Sequence, residues 1–156
     1  MHRALLVAAT VAAFATALPA AAQFQRPEQA VKYRQSAMAL QGNHMGRIVA
    51  MTSGRAPFDA KAAAENIEVV AMLNKLQFTA FVEGSDKVGN TRALPEVWTD
   101  KARWNAAVAQ SQDDVARLVV AGRSGNLDQI KAAVGPVGRA CKACHDDFQA
   151  EKYSAN

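Results

Sequence analysis

Residues 126–148 read NLDQIKAAVGPVGRACKACHDDF. Leu127, Ile130, Val134, Val137, Cys141, Cys144 and Phe148 follow one another at steps of three and four. That period lays side chains along one stripe of an α-helix, so both cysteines fall on its buried face. Asn126 with Gln129 resembles a capping box and marks the helix start. Pro136 stands inside the stretch; it cannot donate to the Ala132 carbonyl and its ring crowds that oxygen. A kink or break is therefore expected near Gly135.

Working outward, three more segments carry the helical period. The first begins at Pro27, a favoured first helical position, and runs to about Thr52 before Ser53-Gly54. Its seam is Val31, Arg34, Met38, Gln41, Met45 and Ile48. The second begins at Asp59, a natural N-cap, and continues to about Phe81 through Ala63, Ile67, Val70, Asn74 and Gln77. The third spans about Thr99 to Ala121 through Trp104, Val108, Ser111, Val115 and Leu118. Alternating β-branched runs are scarce, and Ala, Leu, Met, Gln and Lys favour helix. Short connections make neighbouring helices antiparallel. The longer one, residues 82–98, holds Gly84, Gly89 and Pro95. The expected fold is all-α, an antiparallel up-down-up-down four-helix bundle.

The start of the chain points to export. A basic lead, Met1-His2-Arg3, precedes the apolar run Ala4 to Leu18, then Pro19 and Ala20-Ala21-Ala22. Charge, hydrophobe and small residues in that order read as a secretory signal peptide cleaved after Ala22. The run falls short of the ~20 apolar residues that span a bilayer. Residues 1–22 are thus expected to be leader and 23–156 one domain, with no membrane insertion. Net charge is +4, and its basic residues are scattered without aromatic interleaving. That excludes a nucleic-acid surface of the usual kind.

Cys141-Lys142-Ala143-Cys144-His145 admits three chemistries. A thioredoxin-type dithiol belongs beside a βαβ pattern with its thiol at a helix N-terminus; here the pair sits late in a helix with no strand evident. A zinc site wants four protein ligands, or three and a water, and beyond the motif the mature chain offers His44 as its one further histidine. A disulfide at this spacing closes only a tiny loop. Cys-x-x-Cys-His is also the signature of c-type haem attachment. Two thiols at i, i+3 lie on one helix face, and His145 lies four beyond Cys141 on a similar bearing. The thiols can then add to the two haem vinyl groups while the imidazole ligates iron. Export agrees, since c-type haem is attached outside the cytoplasm.

Taken together, RPEQAVKYRQSAMAL (26–40), NHMGR (43–47), LPEVW (94–98) and VGRACKACHDDF (137–148) resemble the cytochromes c′, the class II c-type cytochromes. The likeness covers essentially the whole mature chain. It implies one covalently attached haem c per chain, with Cys141 and Cys144 in thioethers and His145 as the single protein ligand to iron. It implies that Arg34 contacts a haem propionate with Gln35 beside it and Thr91 approaching the same edge. Met38 would crowd the vacant axial face. The family binds NO and CO, commonly dimerises through its first two helices, and is periplasmic.

Taken residue by residue, the chain adds several readings of its own. Met38 as core packing and Met38 as a sixth ligand are both compatible with its place on the seam; the second would make a low-spin electron carrier, as in some class II relatives. Met45 carries the same ambiguity. His44 is turned by roughly 240° from Met38 and displaced by about 9 Å along the helix, so both cannot face one iron; it is expected to be a non-ligand. Phe78, Phe81, Trp98 and Trp104 read as core aromatics, with packing against the haem a second reading for Phe81. Many family members place Arg or Lys four residues after the axial histidine, where this chain has Gln149. No acid–base pair or substrate pocket is legible beside the motif, so the sequence points away from an enzyme.

Overall fold

A computed structural model describes residues 23–151. Five helices follow in chain order: α1 (Pro27–Thr52), α2 (Ala60–Phe78), α3 (Glu96–Thr99), α4 (Lys101–Ser124) and α5 (Leu127–Phe148). The four long ones form the antiparallel bundle. α1 packs on α2, α2 on α4, α4 on α5, and α5 returns to α1. The expected signal peptide lies outside the described residues, among which no helix is long and apolar enough to cross a membrane.

Local chemistry sets most boundaries. Pro27 occupies the first turn of α1. Asp59 accepts from the Ala62 N–H, and Asn126 from the Gln129 N–H, both at 3.0 Å. Each thereby satisfies a donor with no partner inside its own helix. Gly125 ends α4 at φ 64°, a left-handed conformation that costs glycine nothing.

Three expectations are corrected. α5 runs unbroken through Pro136. Ile130 and Val137, on either side of it, are almost wholly buried, so packing of the stripe offsets the lost hydrogen bond. The third long helix starts at Lys101, because Asp100 leaves helical geometry (φ −113°, ψ 68°) to cap it, accepting from the Arg103 N–H at 3.1 Å. Thr99 instead closes the separate turn α3. α2 stops at Phe78, which leaves Phe81 in the connection beyond it.

The core has two parts. An aliphatic one joins all four long helices through residues such as Ile48, Ile67, Leu118 and Ile130, and Cys141 packs against it. An aromatic one gathers Val97, Trp104 and Phe148 with Phe78, Phe81 and Trp98, and Cys144 packs against that. Trp104 meets Phe148 edge-on at 5.2 Å between ring centroids and Phe81 at 4.7 Å, within the range aromatic pairs favour.

Candidate functional site

Between the two cores lies a trough made of adjoining cavities of about 190 and 400 Å³. Met38, Cys144 and His145 line both. α1 contributes Met38 from one wall and α5 contributes the thiol and imidazole from another, because each helix turns its three-and-four stripe inward. Arg34, Gln35, Phe81 and Thr91 line the smaller cavity, and Cys141 lines the larger. Every site residue expected from the sequence therefore converges on one trough. His44 does not line it; its Nδ1 instead lies 2.7 Å from Asn66 Oδ1.

The Arg34 side chain does not reach solvent. It is buried, and its guanidinium donates to the Ala80 carbonyl (3.0 Å), Ser85 Oγ (2.7 Å), the Ser85 carbonyl (2.8 Å) and Thr91 Oγ1 (2.9 Å). It also lies 4.6 Å from the centroid of Phe81, a cation–π distance. Burial lowers its pKa to about 10, opposed by the charge of Asp86; the group stays ionised at neutral pH. Gln35 Nε2 donates to the Asn90 carbonyl at 2.6 Å. One helix face thus fastens the whole connection that follows α2.

The motif itself is held in apolar surroundings. Cys141 and Cys144 are free thiols. Burial raises both pKa values, that of Cys144 to about 11 with further contributions from Cys141 and Asp147. His145 keeps much of its surface in solvent, yet burial of its inner side holds the imidazole below its ordinary pKa, and the charge of Arg92 adds to the fall. A neutral imidazole is the form that ligates a metal.

A flat apolar group bonded through both thiols fits this trough. Gly42, Gly46 and Gly138 line the larger cavity, and a Cβ built on any of them meets nothing within 4 Å. Gln41 Oε1 and Gln77 Oε1 border the same space, buried and with no hydrogen-bond partner. Thiols at i, i+3 and an imidazole at i+4 open onto it together. The sequence reading did not single out Arg92, Gln41 or Gln77 as site residues. The two glutamines were visible as polar interruptions of an apolar stripe, whereas Arg92 carried no periodic signal.

Comparison with known proteins agrees with this geometry. A family model described as Cytochrome C′ matches residues 29–149. Cytochrome c′ of Rubrivivax gelatinosus is 54% identical over 127 residues, covering 81% of this chain and 98% of that protein. Its crystal structure superposes with a TM-score of 0.80, covering 81% and 99% of the two chains. Cytochrome c′ of Alcaligenes xylosoxydans xylosoxydans is 42% identical over 130 residues, 83% of this chain and all of that one. A ferrous variant of the Alcaligenes xylosoxidans protein with bound NO superposes with a TM-score of 0.77 at 42% identity, covering 83% and 99% of the chains. A carbon-monoxide-bound variant of the same protein superposes equally well, at 0.77 and 41% identity over 82% and 99%.

Proposed function

The chain belongs to the cytochrome c′ family, whose members carry covalently attached haem c, and on that premise we propose that Cys141 and Cys144 hold the haem through thioethers while His145 is its single protein axial ligand. The observation that carries this is the convergence of Met38, Cys144 and His145 on both cavities of one trough. When bound, the haem supplies an iron that takes diatomic ligands and exchanges single electrons. The protein's own part is to exclude water, fix the imidazole and limit what enters. Trp104 and Phe148 wall the smaller cavity, and Met38, which borders both cavities, would limit the space open to a ligand. Arg34 sets positive charge at the edge where Gln35 and Thr91 also lie, suited to haem propionates.

The ligands are NO and CO, as in the related Alcaligenes structures. Cytochromes c′ are haem proteins rather than typical enzymes, and this chain is read as a gas-binding and electron-transferring member with no catalytic residues. Residues 1–22 act as an export signal, so the mature protein is periplasmic. Exposed Leu40 on α1 and Met72 on α2 support a homodimer through these two helices. A six-coordinate reading also has an observation in its favour. Met38 borders both cavities alongside His145, and its thioether as sixth ligand would yield a low-spin electron carrier.

An optical spectrum of the oxidised holoprotein separates the two. A high-spin spectrum, with a ferrous form that responds to CO, is expected; a low-spin spectrum indifferent to CO overturns the gas-binding reading. Acid and organic solvent should leave the pigment on the polypeptide, and its extraction would refute the thioether assignment.

A further inference from the structure

The larger cavity has a polar side. Gln41 of α1 and Gln77 of α2 line it, together with Ser111 of α4. Gln41 is 6% exposed and Gln77 5%, and neither Oε1 has a hydrogen-bond partner among the described residues. Asn74, one turn before Gln77 on the same face of α2, donates from Nδ2 to Ser111 Oγ at 2.9 Å. Its Oδ1 is likewise buried without a partner among these residues. Ser111 Oγ accepts that bond and keeps a proton of its own to give.

All three unpaired atoms are amide oxygens, so the missing partner is a donor. A buried carbonyl without one has given up its hydration for nothing, which folded proteins rarely tolerate. A haem supplies no remedy. Its four nitrogens are bonded to iron and carry no hydrogen, its vinyl and methyl groups are apolar, and its ionised propionates only accept. The partner is therefore a small molecule with hydrogens on an electronegative atom. Water qualifies: it donates twice and can accept from Ser111 Oγ. Its ~30 Å³ share of liquid volume is small against a cavity of about 400 Å³.

We propose that Gln41, Gln77 and Ser111 form an internal water site that stays filled beside the haem in the holoprotein. The site is defined relative to the haem and so rests on the haem assignment. Bulk solvent leaves the trough when the macrocycle enters, whereas a molecule gripped by several polar groups is retained. The pocket then carries an exchangeable hydrogen-bond donor in a wall otherwise set by groups such as Met38, Met45 and Val49.

High-resolution crystal structures of the holoprotein, native and with Gln41→Met and Gln77→Met, test this. Methionine keeps the length of glutamine and removes the amide. The native map should show an ordered water within about 3.2 Å of each Oε1, and each substitution should remove the water at its own position. Native glutamine oxygens with no water at that distance, or bonded to protein donors instead, overturn the proposal. So does a water that survives both substitutions, for then the amides do not hold it. Should a variant fail to fold, the native ferrous CO complex decides by NMR. Cross-relaxation between water and the side-chain amide protons of Gln41 and Gln77 is expected, and its absence overturns the site. The same maps test the haem separately. Missing thioether density at Cys141 and Cys144 overturns that assignment and the water site with it, whereas thioethers without the water overturn the water site alone.

Discussion

Arg34 Nη2 lies 2.9 Å from Thr91 Oγ1, tying α1 to a segment that in turn pairs with the end of α5. Four donations radiate from that guanidinium. Arg34→Leu would leave the carbonyls of Ala80 and Ser85 without this donor in a buried setting. A loss of about 2–4 kcal/mol in the stability of the holoprotein is expected, read by denaturant titration. Arg34→Lys should recover only part of it, since one ammonium cannot reproduce a planar fork. A variant as stable as the native protein would show that the connection holds itself.

Met38 borders both cavities. Met38→Ala should speed CO association with the ferrous holoprotein by tenfold or more, roughly the effect of lowering an access barrier by 1.4 kcal/mol. Stopped-flow kinetics that match the native rate would take Met38 out of any gating role.

Helices α2 and α4 pack tightly where Gly122 faces Ile67. A Cβ at position 122 would sit 2.8 Å from Ile67 Cδ1. Gly122→Ala is expected to cost about 1 kcal/mol or more through overpacking. Ile67→Val removes that methyl, so the pair of substitutions should cost less than their sum. Additive losses in a double-mutant cycle would mean the contact is not the cause.

Asp114 on α4 is a buried carboxylate. Donation from Gln110 Nε2 at 2.9 Å, and then the contact with Arg117, hold its pKa below the ordinary value. The folded state therefore binds its proton less readily than the unfolded one. Its contribution is present above the ordinary carboxylate pKa of about 3.9 and disappears as pH falls through the lower folded value. Asp114→Asn should flatten that part of the stability-versus-pH curve. An unaltered acid limb would assign the loss to other groups.

The limits of α1 were legible because Pro27 and Ser53-Gly54 bracket an unbroken period, and the starts of α2 and α5 because Asp59 and Asn126 cap them. Pro136 misled as a helix breaker, since a local rule about one missing donor says nothing of the buried Ile130 and Val137 that keep the helix continuous across it. The gathering of Arg34, Met38 and the motif followed from stripes of known period. Thr91 came only through family resemblance, as it sits in irregular chain, whereas Phe81 closed the period of the second segment and lies just beyond the end of α2. Arg92 left no trace in the pattern. Its nearness to His145 depends on pairing between two segments far apart in sequence, neither of which has a period to read.

Cys141 is rooted in the aliphatic core and Cys144 in the aromatic one. A macrocycle bonded at both, as proposed, would be a crosspiece between the two cores and would fill the trough that separates them. Maturation would then be a step in folding itself: a chain denied its porphyrin should melt at a lower temperature than the finished protein.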